Sequence, residues 1–194
     1  MPKRYIPNIL TSMRILLTPI FLLLLFSGYQ HGKLFALIVF IIASLTDLYD
    51  GILARKFNTV SKFGMFLDPL ADKFLVLSAF ISFCIIGDVE LWMLIVIIVR
   101  DIFVTLLRSI MEAKKVTMHT SKGGKLKTTL QMIVIHLILL IYVFQSYKVT
   151  PIEWFFDAYP IVYILMLVTT IVTAYTGIDY FRQNYQTLKN LKND

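Results

Sequence analysis

Long apolar stretches separated by short polar breaks set the pattern of this chain. A helix needs about 20 mostly apolar residues to cross a hydrocarbon core. Six stretches reach that length, at about residues 8–27, 33–57, 62–86, 90–113, 126–147 and 154–181. Pro7-Asn8 opens the first, where proline suits an early helical position. Its first half carries Thr11, Ser12 and Arg14 and is polar enough to lie along a membrane interface. The longest break, residues 114–127, is basic and contains Gly123-Gly124. No internal repeat or low-complexity tract interrupts the series. The pattern predicts an all-α, polytopic membrane protein: one domain over residues 1–194, six transmembrane helices and an amphipathic N-terminal segment.

Composition sharpens this picture. Of 194 residues, 58% are hydrophobic, and the mean hydropathy of +0.75 excludes an ordinary soluble domain. Ser27-Gly28-Tyr29-Gln30-His31-Gly32 follows the first stretch and is not a small-x-small cleavage site, so that stretch reads as a span rather than a removed signal. The net charge of +7 sits at segment ends. That placement predicts anionic lipid headgroups or a phosphorylated substrate as partners, and no nucleic acid. Cys84 is the single cysteine, which excludes an internal disulfide and a cysteine-based zinc site and leaves a small packing residue.

Lysines and arginines gather before the first span, between the second and third, between the fourth and fifth, and after the sixth. The opposite side has only Lys33 and Lys148. The positive-inside rule then predicts cytoplasmic N- and C-termini in the inner (plasma) membrane. Residues 47–72 fall at the cytoplasmic ends of spans two and three. Trp92, Tyr147 and Trp154 sit at span ends as interfacial aromatics do, His31 and His119 fall in loops, and His136 reads as a packed or hydrogen-bonded residue within span five. Met65 and Phe66 read as lipid or helix contacts.

One stretch breaks the apolar pattern. Asp47-Leu48-Tyr49-Asp50-Gly51-Ile52-Leu53-Ala54-Arg55 is followed, eight residues later, by Gly64-Met65-Phe66-Leu67-Asp68-Pro69-Leu70-Ala71-Asp72. Helical residues three and four apart are neighbours, so Asp47, Asp50, Gly51 and Ala54 share one face, and Gly64, Asp68 and Asp72 share another. Ionised aspartates within a span are costly and mark function. Helix capping would account for one or two of them, because Asp68 and Asp72 come early in their helix; it does not account for four on matched faces beside two glycines. Converging carboxylates repel unless cations intervene, and an oxygen-only ligand set suits magnesium or manganese. Two such ions about 4 Å apart form the usual clamp for phosphoryl transfer. Gly51 and Ala54 allow close approach of a ligand, and Arg55 offers a bidentate donor to phosphate.

The pattern Asp-x-x-Asp-Gly-x-x-Ala-Arg, eight residues, Gly-x-x-x-Asp-x-x-x-Asp resembles the signature of the CDP-alcohol phosphotransferases, complete here from Asp47 to Asp72. The resemblance implies a six-helix, usually dimeric membrane enzyme that joins a CDP-linked lipid to an alcohol and releases CMP. It implies that Asp47, Asp50, Asp68 and Asp72 bind two divalent ions (Mg2+ or Mn2+), that Asp72 is also the general base, and that Gly51, Arg55 and Ser61 contact the CDP moiety. Further segments are similar to the bacterial phosphatidylglycerophosphate synthases, a branch of that family: Pro7-Asn8-Ile9-Leu10-Thr11 with Arg14, Asp68 to Lys73, Arg100-Asp101 with Arg108, Gly124 to Met132, and Thr176 to Phe181. Asp101 departs from the glutamate more usual in that branch. The substrates implied are CDP-diacylglycerol and glycerol 3-phosphate.

The acceptor end also has a physical argument. Arg100 lies mid-span, where a lone charge is costly, so it needs an anionic partner: Asp101, one of the signature aspartates, or a substrate phosphate. Arg108 lies eight residues on, about two turns along the same face, and Lys125 and Lys127 enter span five. Arg100, Arg108, Lys125 and Lys127 would together suit the phosphate of glycerol 3-phosphate; the alternative for the lysines is topology alone. Asn8 and Arg14 reach either the lipid pyrophosphate or the headgroups. Three rivals stand beside this reading: the same chemistry on another acceptor (a cardiolipin synthase or a phosphatidylinositol phosphate synthase), a divalent-cation transporter, and an inactive scaffold of the same fold.

Overall fold

The computed structural model describes residues 6–57, 62–113, 122–148 and 160–191; side chains are described over 12–46, 73–109, 111, 123–124, 126–148 and 160–185. Among them are six helices and no strand: α1 (Ile6–Leu25), α2 (Gly32–Phe57), α3 (Lys62–Ile86), α4 (Leu91–Ala113), α5 (Lys122–Ser146) and α6 (Ile161–Leu191). Two helical segments, Leu126–Ser146 in α5 and Ile161–Tyr185 in α6, are long and apolar enough to cross a membrane, and shorter apolar segments run through α1, α2 and α3. Ser61, His119, Trp154 and the expected start of the sixth span lie outside the described residues, as do the side chains of Asn8, Met65 and Phe66.

Helix limits and apolar limits differ where a helix continues past its greasy part. The apolar pattern starts at residue 126, but α5 begins at Lys122 and takes in Gly123 and Gly124. Apolarity fades near residue 181, yet α6 runs to Leu191. There, local pairs such as Gln183 Nε2 donating to Asp179 Oδ2 at 2.8 Å support the polar turns. Pro160 stands just ahead of α6, where a missing N–H is harmless.

The contacts divide the chain into two compact units. The first holds α1, α2, most of α3 and the second half of α5. In it α1 packs along α2. Arg14, Thr18, Phe21 and Leu25 form a buried stripe at helical spacing, as do Ala36, Phe40 and Ala43, with the Phe21 and Phe40 rings 5.3 Å apart. Arg14 has no exposed surface, so this residue is a packed part of a helix rather than a headgroup anchor. His136 on α5 lies edge-on to Phe40 at 5.1 Å and 3.4 Å from Ser44 Oγ, the packed role expected for it. His31 sits in the turn before α2, with Nδ1 2.5 Å from the Tyr147 hydroxyl.

The second unit holds the end of α3, α4, the first half of α5 and α6. α4 packs against α6. Its interior is unusually polar: Asp101, Lys127, Gln131, Thr169, Thr170, Thr173, Thr176 and Asn184 are all buried, while Leu106, Ile171, Tyr175 and Ile178 face outwards. Outward apolar and inward polar side chains are the arrangement a hydrocarbon solvent favours. Hydroxyls within the helices satisfy themselves on carbonyls one turn back, as in Thr18 to Arg14 O at 2.9 Å, Ser82 to Ser78 O at 2.7 Å and Thr170 to Met166 O at 2.8 Å.

α3 stops at Gly87, which adopts φ +98° and donates its N–H to Cys84 O at 3.1 Å. That left-handed position is the usual glycine end to a helix. Gly87→Ala meets no atom within 4 Å, so only the backbone conformation opposes it. The variant is expected to lose about 1 kcal/mol of stability, read as a lower melting temperature in detergent with unchanged turnover per folded molecule.

Candidate active site

The signature residues occupy two uninterrupted helices. Asp47, Asp50, Gly51 and Arg55 fall in the last three turns of α2, and Gly64, Asp68 and Asp72 in the first three turns of α3. Continuity of both helices keeps the three- and four-residue spacings on single faces, the condition that the sequence argument required. The side chains of these residues lie outside those described, as does that of Lys125. Among the described side chains no group of three or more His, Cys, Asp or Glu could hold a metal ion. An oxygen-only donor set carried on two regular helices fits a hard divalent cation by its chemistry.

The cationic end is built in the second unit. Asp101 lies on the buried stripe of α4, and both its oxygens accept from the Lys127 ammonium of α5, at 2.6 and 2.5 Å. Its Oδ1 also accepts from Arg100 Nη1 at 3.3 Å. Arg100 Nη2 donates to Thr176 Oγ1 of α6, again at 3.3 Å, and the Thr176 hydroxyl donates in turn to Thr173 O at 3.0 Å. Arg100 Nε is buried without a hydrogen-bond partner.

Gly177 gives Arg100 room. A Cβ there would stand 2.8 Å from Arg100 Cγ, so glycine lets the arginine stem lie flat against α6. The stem floors an apolar groove of about 550 Å³ lined also by Ile95, Val99, Phe103, Ala174 and Phe181. Arg108, two turns further along α4, is exposed.

Of the four cations expected to bind an acceptor phosphate, the structure therefore brings Arg100 and Lys127 together, around Asp101. Arg108 is not part of that cluster. Asp101, Thr176 and Gly177 belong to it although spacing alone did not single them out as site residues. The signal was present in the chain: a carboxylate on a helix face otherwise filled by Met93, Ile97 and Val104, and a glycine one turn from threonines on an apolar helix.

The chain is similar to several known proteins. A probable phosphatidylglycerophosphate synthase of Mycobacterium tuberculosis is 36% identical over 176 residues, covering 89% of this chain and 78% of that protein. A CDP-diacylglycerol–glycerol-3-phosphate 3-phosphatidyltransferase of Bacillus subtilis is 36% identical over 196 residues, covering 95% of this chain and 97% of that protein. One of the same name from Rickettsia prowazekii is 36% identical over 135 residues, covering 70% of this chain and 75% of that protein. The profile of the family described as CDP-alcohol phosphatidyltransferase matches residues 4–176. With that profile spanning nearly all of the six helices, and relatives matched over most of both lengths, the chain belongs to the CDP-alcohol phosphatidyltransferase family of membrane proteins.

Proposed function

We propose that this protein transfers the phosphatidyl group of CDP-diacylglycerol to glycerol 3-phosphate, giving phosphatidylglycerophosphate and CMP. The observation that carries the reading is the unbroken signature of residues 47–72 on two continuous helices. The relatives named for this reaction support the choice of acceptor. So does a largely buried cluster of Arg100 and Lys127, which suits the dianionic phosphate of a small acceptor better than the singly charged phosphodiester of a second lipid.

In this reading Asp47, Asp50, Asp68 and Asp72 hold two magnesium or manganese ions. Bound there, the ions would offset the charge of the pyrophosphate and of the departing CMP. Gly51, Arg55 and Ser61 contact the CDP moiety, the arginine as a bidentate donor. Arg100 and Lys127, with Lys125 close to Lys127 in sequence, receive the acceptor phosphate, and Arg108, outside their cluster, adds positive charge two turns along α4. Asp72 takes the proton from the 1-hydroxyl of glycerol 3-phosphate, that oxygen bonds to the phosphorus bearing diacylglycerol, and the bond from this phosphorus to the CMP oxygen breaks. No covalent enzyme intermediate is required. The six helices span the inner membrane with both termini and the site on the cytoplasmic side, and the working form is a homodimer.

The test is CMP release by purified protein in detergent with magnesium and CDP-diacylglycerol. Glycerol 3-phosphate, phosphatidylglycerol, inositol phosphate and serine are offered separately. Turnover with glycerol 3-phosphate alone is the expected result. Turnover with another alcohol keeps the reaction class and discards the acceptor, while no CMP with any of them removes the enzymatic reading. Metal flux in sealed vesicles without the lipid substrate would instead favour an ion path.

A further inference from the structure

We propose that Asp101 is a positioning residue for the acceptor site: a buried carboxylate that fixes the Lys127 ammonium and the Arg100 guanidinium where they meet the acceptor phosphate. The proposal rests on the reading above for the identity of the acceptor.

The geometry favours positioning over a plain structural staple. Neighbouring residues on a helix point about 100° apart, so Arg100 reaches Asp101 only by folding its guanidinium back along α4. It does so at 3.3 Å, while the other terminal nitrogen is tied to Thr176 and the stem is laid against Gly177. The guanidinium is thus held at both terminal nitrogens, and its Nε–H is buried with no hydrogen-bond partner. A buried donor without a partner is costly, and an anionic acceptor would complete it. The second cation is fixed as tightly, by both oxygens of the same carboxylate. Buried ion pairs contribute little net stability, because desolvation offsets the attraction. Ordering two flexible cations ahead of a dianion, in contrast, removes an entropy cost from binding it.

The experiment measures kcat and both KM values, in detergent with magnesium, for the unaltered protein, Asp101→Asn, Asp101→Glu, Lys127→Met and the double variant Asp101→Asn/Lys127→Met. Asp101→Asn is expected to raise the KM for glycerol 3-phosphate by about 10-fold, the scale of one lost charge-assisted contact, and to leave the KM for CDP-diacylglycerol within about twofold. Asp101→Glu recovers most of the loss by restoring the carboxylate. The double variant loses less than the product of the two single losses, because the carboxylate acts in part through Lys127.

A loss of kcat with both KM values unchanged, matched by a smaller folded fraction, would mark a staple and overturn the proposal. So would additive losses in the double variant. If the unaltered protein fails to use glycerol 3-phosphate, the functional reading falls and takes this proposal with it. If it turns over normally and Asp101→Asn behaves like it, the proposal alone is wrong.

Discussion

Asp72→Asn is expected to lower CMP release by about 10³-fold, the largest effect of any single substitution proposed for this chain. Asparagine keeps the size and one oxygen, so α3 should form as before; what is lost is the negative charge and the capacity to take a proton. In the proposed mechanism both losses fall on the same step. The 1-hydroxyl has no base, and one of the four carboxylates no longer contributes charge to the ion site. Asp68→Asn removes a ligand and not the base, so the two variants should separate under varied magnesium. Raised magnesium recovers part of the Asp68→Asn activity and very little of the Asp72→Asn activity. Single-turnover CMP release with CDP-diacylglycerol and glycerol 3-phosphate both saturating is the measurement. Asp72→Asn within about tenfold of the unaltered rate would be too active for a general base and would move that role to another residue.

The helical setting of these aspartates was readable from the chain because it needs only local rules. Apolar runs of membrane length predict helices, and three- and four-residue spacing predicts a shared face once the helix is continuous. α2 and α3 meet that condition from Gly32 to Phe57 and from Lys62 to Ile86. What spacing could not supply were pairings between helices. Lys127 is 26 residues from Asp101 and Thr176 is 76 from Arg100, separations that no periodicity relates. Arg14 is instructive in the same way. A polar residue early in an apolar helix reads as interfacial by composition, yet it occupies the buried stripe with Thr18 and Phe21. Hydropathy counts how much of a helix is apolar and says nothing of which face carries the exceptions. Helix ends and span ends also differ, for a related reason: hydropathy marks where the greasy part of α6 stops, near residue 181, whereas the backbone ladder continues to Leu191.

Those long-range pairings set the second large effect. Arg100→Met is expected to lower kcat/KM for glycerol 3-phosphate by roughly 30-fold, on the order of 2 kcal/mol for a charge-assisted contact in a desolvated site. Methionine preserves most of the stem that floors the groove between α4 and α6 and fits beside Gly177, so packing should survive and the loss should be chemical. Arg100→Lys is not a conservative alternative. An ammonium is a point charge, and it cannot hold Asp101 and Thr176 from two nitrogens while offering a third donor; it should recover only a small part of the activity. Gly177→Val supplies the complementary test from α6, since a side chain there collides with the arginine stem while removing no charge. If Arg100 works by placement, Gly177→Val should raise the acceptor KM in the same direction as Arg100→Met and leave the KM for CDP-diacylglycerol nearly unchanged. If Gly177→Val is instead silent while Arg100→Met is severe, the charge of Arg100 matters and its fixed position does not. That outcome would remove the structural reason for spanning α4 and α6 with one side chain.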